Sequence, residues 1–357
     1  MGELTKRRFD RWGRRVVGTL LVALLLANAL NITADVLAIG AGMHLLGAGP
    51  IALWAAISGV AVTALVVTGS FAMITKVFKV LCIALFAYVV VLFFADVAWR
   101  DVLLQTVVPH VELDRKYLAL VVAVLGTTIS PYLYFWQSAD RVEELVDADE
   151  GGDAPVTLDE RSADGARSKE RHTRFDVISG IGFSYLVMFA IIVSTGSTIG
   201  EKGATQIDSA AQAAEALRPA AGDAATVLFA LGFIGSGMLA VPVLAGSAAS
   251  GLAGLSGRDW GYSKGARDAP IFYVLVGLGT LGGTALALIG LNPISLLVAV
   301  AAINGIAAAP FLVVLMLIAD DRSIMGDHVN GRFARTIGWA AAALMGLAAI
   351  ALIVLSF

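Results

Sequence analysis

Apolar runs of 20 or more residues with few or no charges recur along this chain and decide its fold class. A bilayer core needs about 20 apolar residues per crossing helix. Within lipid every backbone polar group must be satisfied internally, so only helices and closed barrels span a membrane. A barrel strand shows about 10 residues of alternating polarity, whereas these runs are continuous. The expectation is an all-α, polytopic helical membrane protein. Composition agrees: 58% of the residues are apolar and 15% charged, against about 45–50% and 25% in soluble domains.

Nine spans are expected in a single transmembrane domain, at about 16–40, 50–73, 77–98, 117–137, 176–199, 224–247, 270–290, 294–318 and 336–357. The 140–175 segment between the fourth and fifth is hydrophilic, with an acidic run from Asp147 to Asp153, and reads as a cytoplasmic loop. The stretch Gln206–Leu217, rich in alanine, reads as a short surface helix. With this topology all but five of the 25 Lys and Arg residues fall on one side. Cytoplasmic loops carry the excess of Lys and Arg, so the N-terminus is expected in the cytoplasm and Phe357 outside. The plasma membrane is the expected location.

Polar residues inside spans are costly and usually face protein or a water-filled path. The first span carries Asn28, Asn31 and Asp35 at i, i+3 and i+7, on one helix face. Asp35 is the only acid deep in any span, so Asp35 and Asn31 are candidates for a proton or cation relay. The fourth span contains Gly126-Thr127-Thr128-Ile129-Ser130-Pro131-Tyr132. Pro131 has no N–H and clashes with the preceding turn, which leaves the Thr127 carbonyl without its helical partner. Helix breaks of this kind expose carbonyls that coordinate cations in transporters. Thr127 and Ser130 are the candidate metal ligands, and Thr128 and Tyr132 candidate cavity-lining residues. The eighth span, with Asn304-Gly305 and then Pro310, reads as a second interrupted helix with Asn304 lining the same cavity. Gly232, Gly235, Ser236, Gly237, Pro242 and Gly246 of the sixth span are assigned to close helix packing.

Several functions are excluded. No P-loop, HExxH or GxSxG motif occurs, so no enzyme, catalytic residue or resident cofactor is expected. His44, His110, His172 and His328 lie in or near loops without metal-ligand spacing, and Cys82 stands alone in an apolar run. The net charge of −3 suggests no nucleic-acid partner. The expected partners are the lipid bilayer and a small solute.

The segment Gly126–Arg141, GTTISPYLYFWQSADR, resembles the sixth helix of the Nramp divalent-metal transporter family, which typically reads G-A-T-V-M-P-H. The long hydrophilic loop and the following helix starting with Asp176 fit the same pattern, and the resemblance covers nearly the whole chain. It implies a LeuT-like fold of inverted five-helix repeats, with the first span here as the family's third helix and the ninth as its eleventh. The family's first two helices and their D-P-G-N metal motif have no counterpart here. The resemblance therefore implies a fold truncated at the N-terminus, with missing N-terminal helices or a partner subunit.

Residue by residue, the resemblance places the family's carbonyl-donating alanine on Thr127, its methionine on Ser130 and its histidine on Tyr132. Asp35 stands on the aspartate of the family's D-x-x-E pair and Ala38 on the glutamate. Oxygen donors suit magnesium, calcium or manganese, whereas thioether sulfur favours soft metals. This pattern resembles the Nramp-related branch that includes magnesium transporters. A divalent-cation transporter, for Mg2+ or Mn2+, is the expected function. An organic-solute or amino-acid carrier on the same fold, and a truncated, non-transporting membrane subunit, are the alternatives.

Overall fold

The computed structural model describes residues 2–68, 86–94, 96–108, 114–147, 163–198 and 207–354. In chain order the α-helices are α1 (Gly2–Arg8), α2 (Arg11–Leu45), α3 (Ile51–Thr68), α4 (Ala87–Val91), α5 (Trp99–Val107), α6 (Arg115–Thr128), α7 (Pro131–Asp147), α8 (Ala163–Thr198), α9 (Ala210–Ala214), α10 (Arg218–Ala221), α11 (Ala225–Leu255), α12 (Pro270–Ala287), α13 (Pro293–Ala319), α14 (Arg322–Met325) and α15 (Arg332–Val354). Eight crossings among the described residues are long and apolar enough to span a membrane, α6 and α7 together making one of them. The expected third span, 77–98, falls mostly outside the described residues; its described end forms α4.

Helix ends follow local chemistry. Asp10 caps α2 by accepting from Gly13 N at 2.7 Å, and Asp114 caps α6 through Tyr117 N at 2.7 Å. Both satisfy N–H groups that a helix start leaves open. Pro270 and Pro293 open α12 and α13, where a missing N–H costs nothing.

Three expectations are corrected. The 140–175 segment is not loop throughout: α7 continues to Asp147 and α8 begins at Ala163. Asp140 and Glu144 are exposed and Arg141 and Glu143 half-buried on this continuation of the helix, whereas Phe135 and Ala139 before them are buried. The Gln206–Leu217 stretch does hold a short helix, α9, but it is not wholly on the surface: Ala214, Ala216 and Leu217 are buried in a cluster with Phe229 and Tyr88. The eighth span is not interrupted: α13 runs unbroken through Asn304, Gly305 and Pro310. Neighbouring helices compensate such a proline inside a membrane bundle.

The central scaffold is α2, which packs along α11 and is flanked by α3, α12 and α13. Its core joins Ile32, Val36 and Leu37 to Val241, Leu244, Phe272 and Val276. Small residues allow the helix axes to come this close: a side chain at Gly237 would meet the Asp35 carbonyl at 2.9 Å. Among the described glycines, the tightest approach to another helix's backbone joins α6 to α13. A Cβ at Gly126 would stand 2.1 Å from the Ala301 carbonyl oxygen and 2.3 Å from Gly305 N. One at Gly305 would stand 2.2 Å from the Val122 carbonyl oxygen. Gly126 therefore serves backbone contact rather than loosening its helix.

One end of the bundle carries a set of polar ties. Arg8 Nε pairs with Asp321 at 2.6 Å, His328 Nδ1 meets Glu170 at 2.8 Å, and Ser263 N donates to Glu143 at 2.8 Å. These join the segments that hold most of the chain's basic residues. At the other end Asn292 Nδ2 donates to the Asp208 carbonyl at 3.1 Å.

The glycine contact yields a direct test. Gly126→Ala is expected to destabilise the folded protein by about 1–3 kcal/mol, the range for overpacking a filled interface. Gly277→Ala, on a helix with nothing within 4 Å of the new Cβ, is expected to be neutral or stabilising by up to ~1 kcal/mol. Thermal unfolding of both variants in detergent measures the difference.

Candidate functional site

The fourth crossing is broken at the residues that its proline singles out. α6 ends at Thr128, Ile129 takes non-helical backbone angles (φ −121°, ψ 62°), and α7 starts with Pro131. Ser130 lies between the half-helices and is 2% exposed. Its hydroxyl donates to the Gly126 carbonyl at 2.6 Å and lies 3.5 Å from that of Thr127. Carbonyls orphaned by the break thus receive a hydroxyl, and the Ser130 oxygen keeps its lone pairs for another group. On the far side of the break Leu133 N returns to the Ser130 carbonyl at 3.1 Å.

Tyr132 is half-buried and packs against the core cluster that includes Val36, the neighbour of Asp35 on α2. The Asp35 side chain makes no hydrogen bond among the described residues. One turn back, Asn31 and Asn304 form a reciprocal amide pair: Asn31 Nδ2 donates to Asn304 Oδ1 at 3.1 Å and Asn304 Nδ2 to Asn31 Oδ1 at 2.9 Å. Asn304 is 3% exposed. The pair fixes α13 to α2 beside the break.

The structure therefore draws Asp35, Asn31, Ser130, Tyr132 and Asn304 from three crossings to one region. It separates the other candidates from them. The Thr127 side chain is exposed and donates to the Val124 carbonyl at 2.8 Å; only its carbonyl turns toward Ser130. Thr128 donates to the carbonyls of Val124 and Leu125, both at 3.0 Å. Asn28, although in register with Asn31 and Asp35, belongs to packing: its amide donates to the Leu244 carbonyl at 2.8 Å and Ser247 Oγ at 3.0 Å on α11.

Two features escaped sequence reasoning. The Asn31–Asn304 pairing links residues far apart in the chain, and no local pattern announces it. The anchoring of α7 is also non-local: Tyr262 stacks near Trp136 and donates to the Pro242 carbonyl at 2.8 Å. Beyond Tyr132, the α7 residues Tyr134, Gln137, Arg141 and Glu144 share one face and line a cavity of about 470 Å3 with Asp176 of α8.

Among the described residues no cluster of three His, Cys, Asp or Glu side chains forms. The donors at the break are oxygens: one carboxylate, hydroxyls, amides and helix-end carbonyls. Such a set suits a hard cation.

These features define a class, the integral membrane proteins built around a discontinuous membrane-spanning helix. Comparison with known proteins gives the family. Residues 1–355 match the model of the Nramp family, natural resistance-associated macrophage protein-like. The chain belongs to that family. Curated relatives include the divalent metal cation transporter MntH of Klebsiella pneumoniae, 27% identical over 264 residues, covering 72% of this chain and 56% of the relative. MntH of Clostridium acetobutylicum is 24% identical over 284 residues, covering 78% and 58%. The chain thus spans little more than half the length of these relatives. In fold it is similar to the Eremococcus coleocola manganese transporter solved with an aromatic bis-isothiourea substituted compound, with a TM-score of 0.68 at 16% identity over 98% of this chain and 73% of that one. The fold is all-α and LeuT-like.

The amide pair generates a measurable coupling. Asn31→Ala and Asn304→Ala each destabilise, and the double variant loses less than their sum. The coupling energy expected for such hydrogen bonds between membrane helices is about 0.6–1.7 kcal/mol. A double-mutant cycle by denaturation in detergent reads it, and strict additivity contradicts the pairing.

Proposed function

We propose that this chain carries the ion-handling core of a divalent-cation transporter, with Mg2+ or Mn2+ as the transported ion. The observation that supports this most is Asp35, a carboxylate without a hydrogen bond among the described residues, close to a broken helix that offers only oxygen donors. An isolated charge in the bilayer is strongly disfavoured; a proton or a bound cation removes that cost, so the two compete for this carboxylate. Ser130, Asp35 and the Thr127 carbonyl are the proposed ligands, with Tyr132, Asn31 and Asn304 bounding the site. Magnesium sheds water reluctantly, so a site with few protein ligands leaves room for retained water. The named activities of the MntH relatives and of the manganese transporter support the same substrate class.

Asp140, Glu144 and Asp176 line the larger cavity together with Arg141, which pairs with Glu144, so acids outnumber bases there. The basic end of the bundle is the proposed cytoplasmic face of the plasma membrane. The Arg8, Glu143, Glu170 and Asp321 ties collect there the segments richest in Lys and Arg, in line with the positive-inside rule. No catalytic step or resident cofactor enters this reading.

Metal titration of the purified chain by calorimetry tests the proposal. Mg2+ and Mn2+ are expected to bind competitively. Asp35→Asn is expected to weaken both by roughly tenfold or more, at least the effect seen for groups that only support a metal ligand. Ser130→Met is expected to shift preference toward Cd2+, because a thioether selects softer metals. Undiminished Mg2+ and Mn2+ binding in Asp35→Asn, or an unmodified protein that already prefers Cd2+, contradicts the assignment.

A further inference from the structure

A second cavity, of about 230 Å3, lies under α1 at the basic end of the bundle. Ser250 of α11, Val142 and Phe135 of α7 and Trp260 form its walls, and Glu3 and Leu4 of α1 close it from outside. α1 lies along α11 and also touches α2, α13 and α14. Thr5 is buried, Leu4 and Phe9 join the apolar cluster of Leu252 and Leu255, and the Lys6 ammonium lies beside Gly257. A helix interruption at Phe9–Asp10 separates α1 from α2, whose cap is Asp10.

α1 also carries a charged attachment, the Arg8–Asp321 ion pair, with side chains 36% and 20% exposed. Its position has an electrostatic reason. Asp320 and Asp321 follow the C-terminal end of α13, where the helix dipole already places partial negative charge. Asp320 is compensated by Arg335 at 3.2 Å and by Trp339 Nε1, which donates at 3.0 Å. Asp321 receives Ser323 N at 2.9 Å and Arg8. Donation from Trp339 holds the Asp320 carboxyl below its ordinary range, and donation from Ser323, followed by Arg8, does the same for Asp321. Both carboxylates are thus charged at neutral pH, and α1 is tied to α13, the helix that carries Asn304.

Well-packed interiors leave few voids larger than a water molecule. The mostly apolar space between α1, α11 and α7 lies directly against the half-helix that starts at Pro131. We propose that α1 is a lid over this cavity, holding α7 in place, with the Arg8–Asp321 ion pair as its latch. The inference does not depend on which solute binds at the helix break.

A cysteine at Ser250, in a Cys82→Ala background, reports lid opening through its rate of reaction with a membrane-impermeant maleimide in detergent. Arg8→Gln and Asp321→Asn are each expected to raise the rate roughly two- to fivefold, the range available to a partly exposed ion pair. The charge exchange Arg8→Glu with Asp321→Arg is expected to return it close to the starting value. Raising salt from about 0.1 to 1 M shortens screening from about 10 to 3 Å; it should accelerate labelling when Arg8 is present and not in Arg8→Gln. Unchanged circular dichroism and elution volume verify the fold of each variant. Equal rates in all proteins, or a rise that charge exchange does not reverse, overturns the lid.

Discussion

Backbone hydrogen bonding in a medium without water is the constraint on which this structure depends. A helix in lipid satisfies its own N–H and C=O groups, and a proline removes one donor from that account. In α11 and α13 the helix continues past Pro242 and Pro310 with neighbours packed closely on both sides. At Pro131 it does not continue. The proline becomes the first residue of a new half-helix, and the hydroxyl of Ser130 turns back to the carbonyls left behind. Unsatisfied backbone is expensive in lipid, so such a break persists only inside protein or beside a cavity. That requirement explains why the break is enclosed by α2 and α13.

Enclosure depends on close backbone approach. Gly126 and Gly305 face each other's helices at distances no side chain tolerates, which brings α6 against α13. Asn31 and Asn304 then fasten α13 to α2. Asp35 follows one turn along α2 from Asn31, with Gly237 of α11 allowing contact at the Asp35 carbonyl. The polar region is therefore a product of small residues and paired amides that set three crossings around one interruption. The aromatic anchor of Tyr262 and the lid α1 act on the same half-helix from its other end.

Much of this was legible in the sequence, for physical reasons that can be named. Apolar run length specifies membrane helices because the bilayer has a fixed thickness. Pro131 with flanking hydroxyls announces the break because proline's missing donor is a local property. Asp35 stands out because an acid in lipid has few structural excuses. Partnership was less legible. Asn28, Asn31 and Asp35 share a helix face, yet they meet α11, α13 and α7 respectively; periodicity gives the face and says nothing of the neighbour. The same limit produced the expectation of a second break at Pro310. A proline and a glycine in sequence do not reveal whether adjacent helices will support the backbone. Thr127 was singled out for both its carbonyl and its hydroxyl, and the helix geometry separates the two: the carbonyl turns to Ser130 and the hydroxyl to Val124.

The central claim is that the interruption between α6 and α7, faced by Asp35, is where a hard divalent cation rests. Anomalous diffraction at the manganese edge, from crystals of this chain grown with Mn2+, addresses it most directly. The account predicts an anomalous peak at the break, within coordination distance of the Asp35 carboxylate and Ser130. Manganese found only at the acidic surface residues, with the break empty at saturating Mn2+, would contradict it.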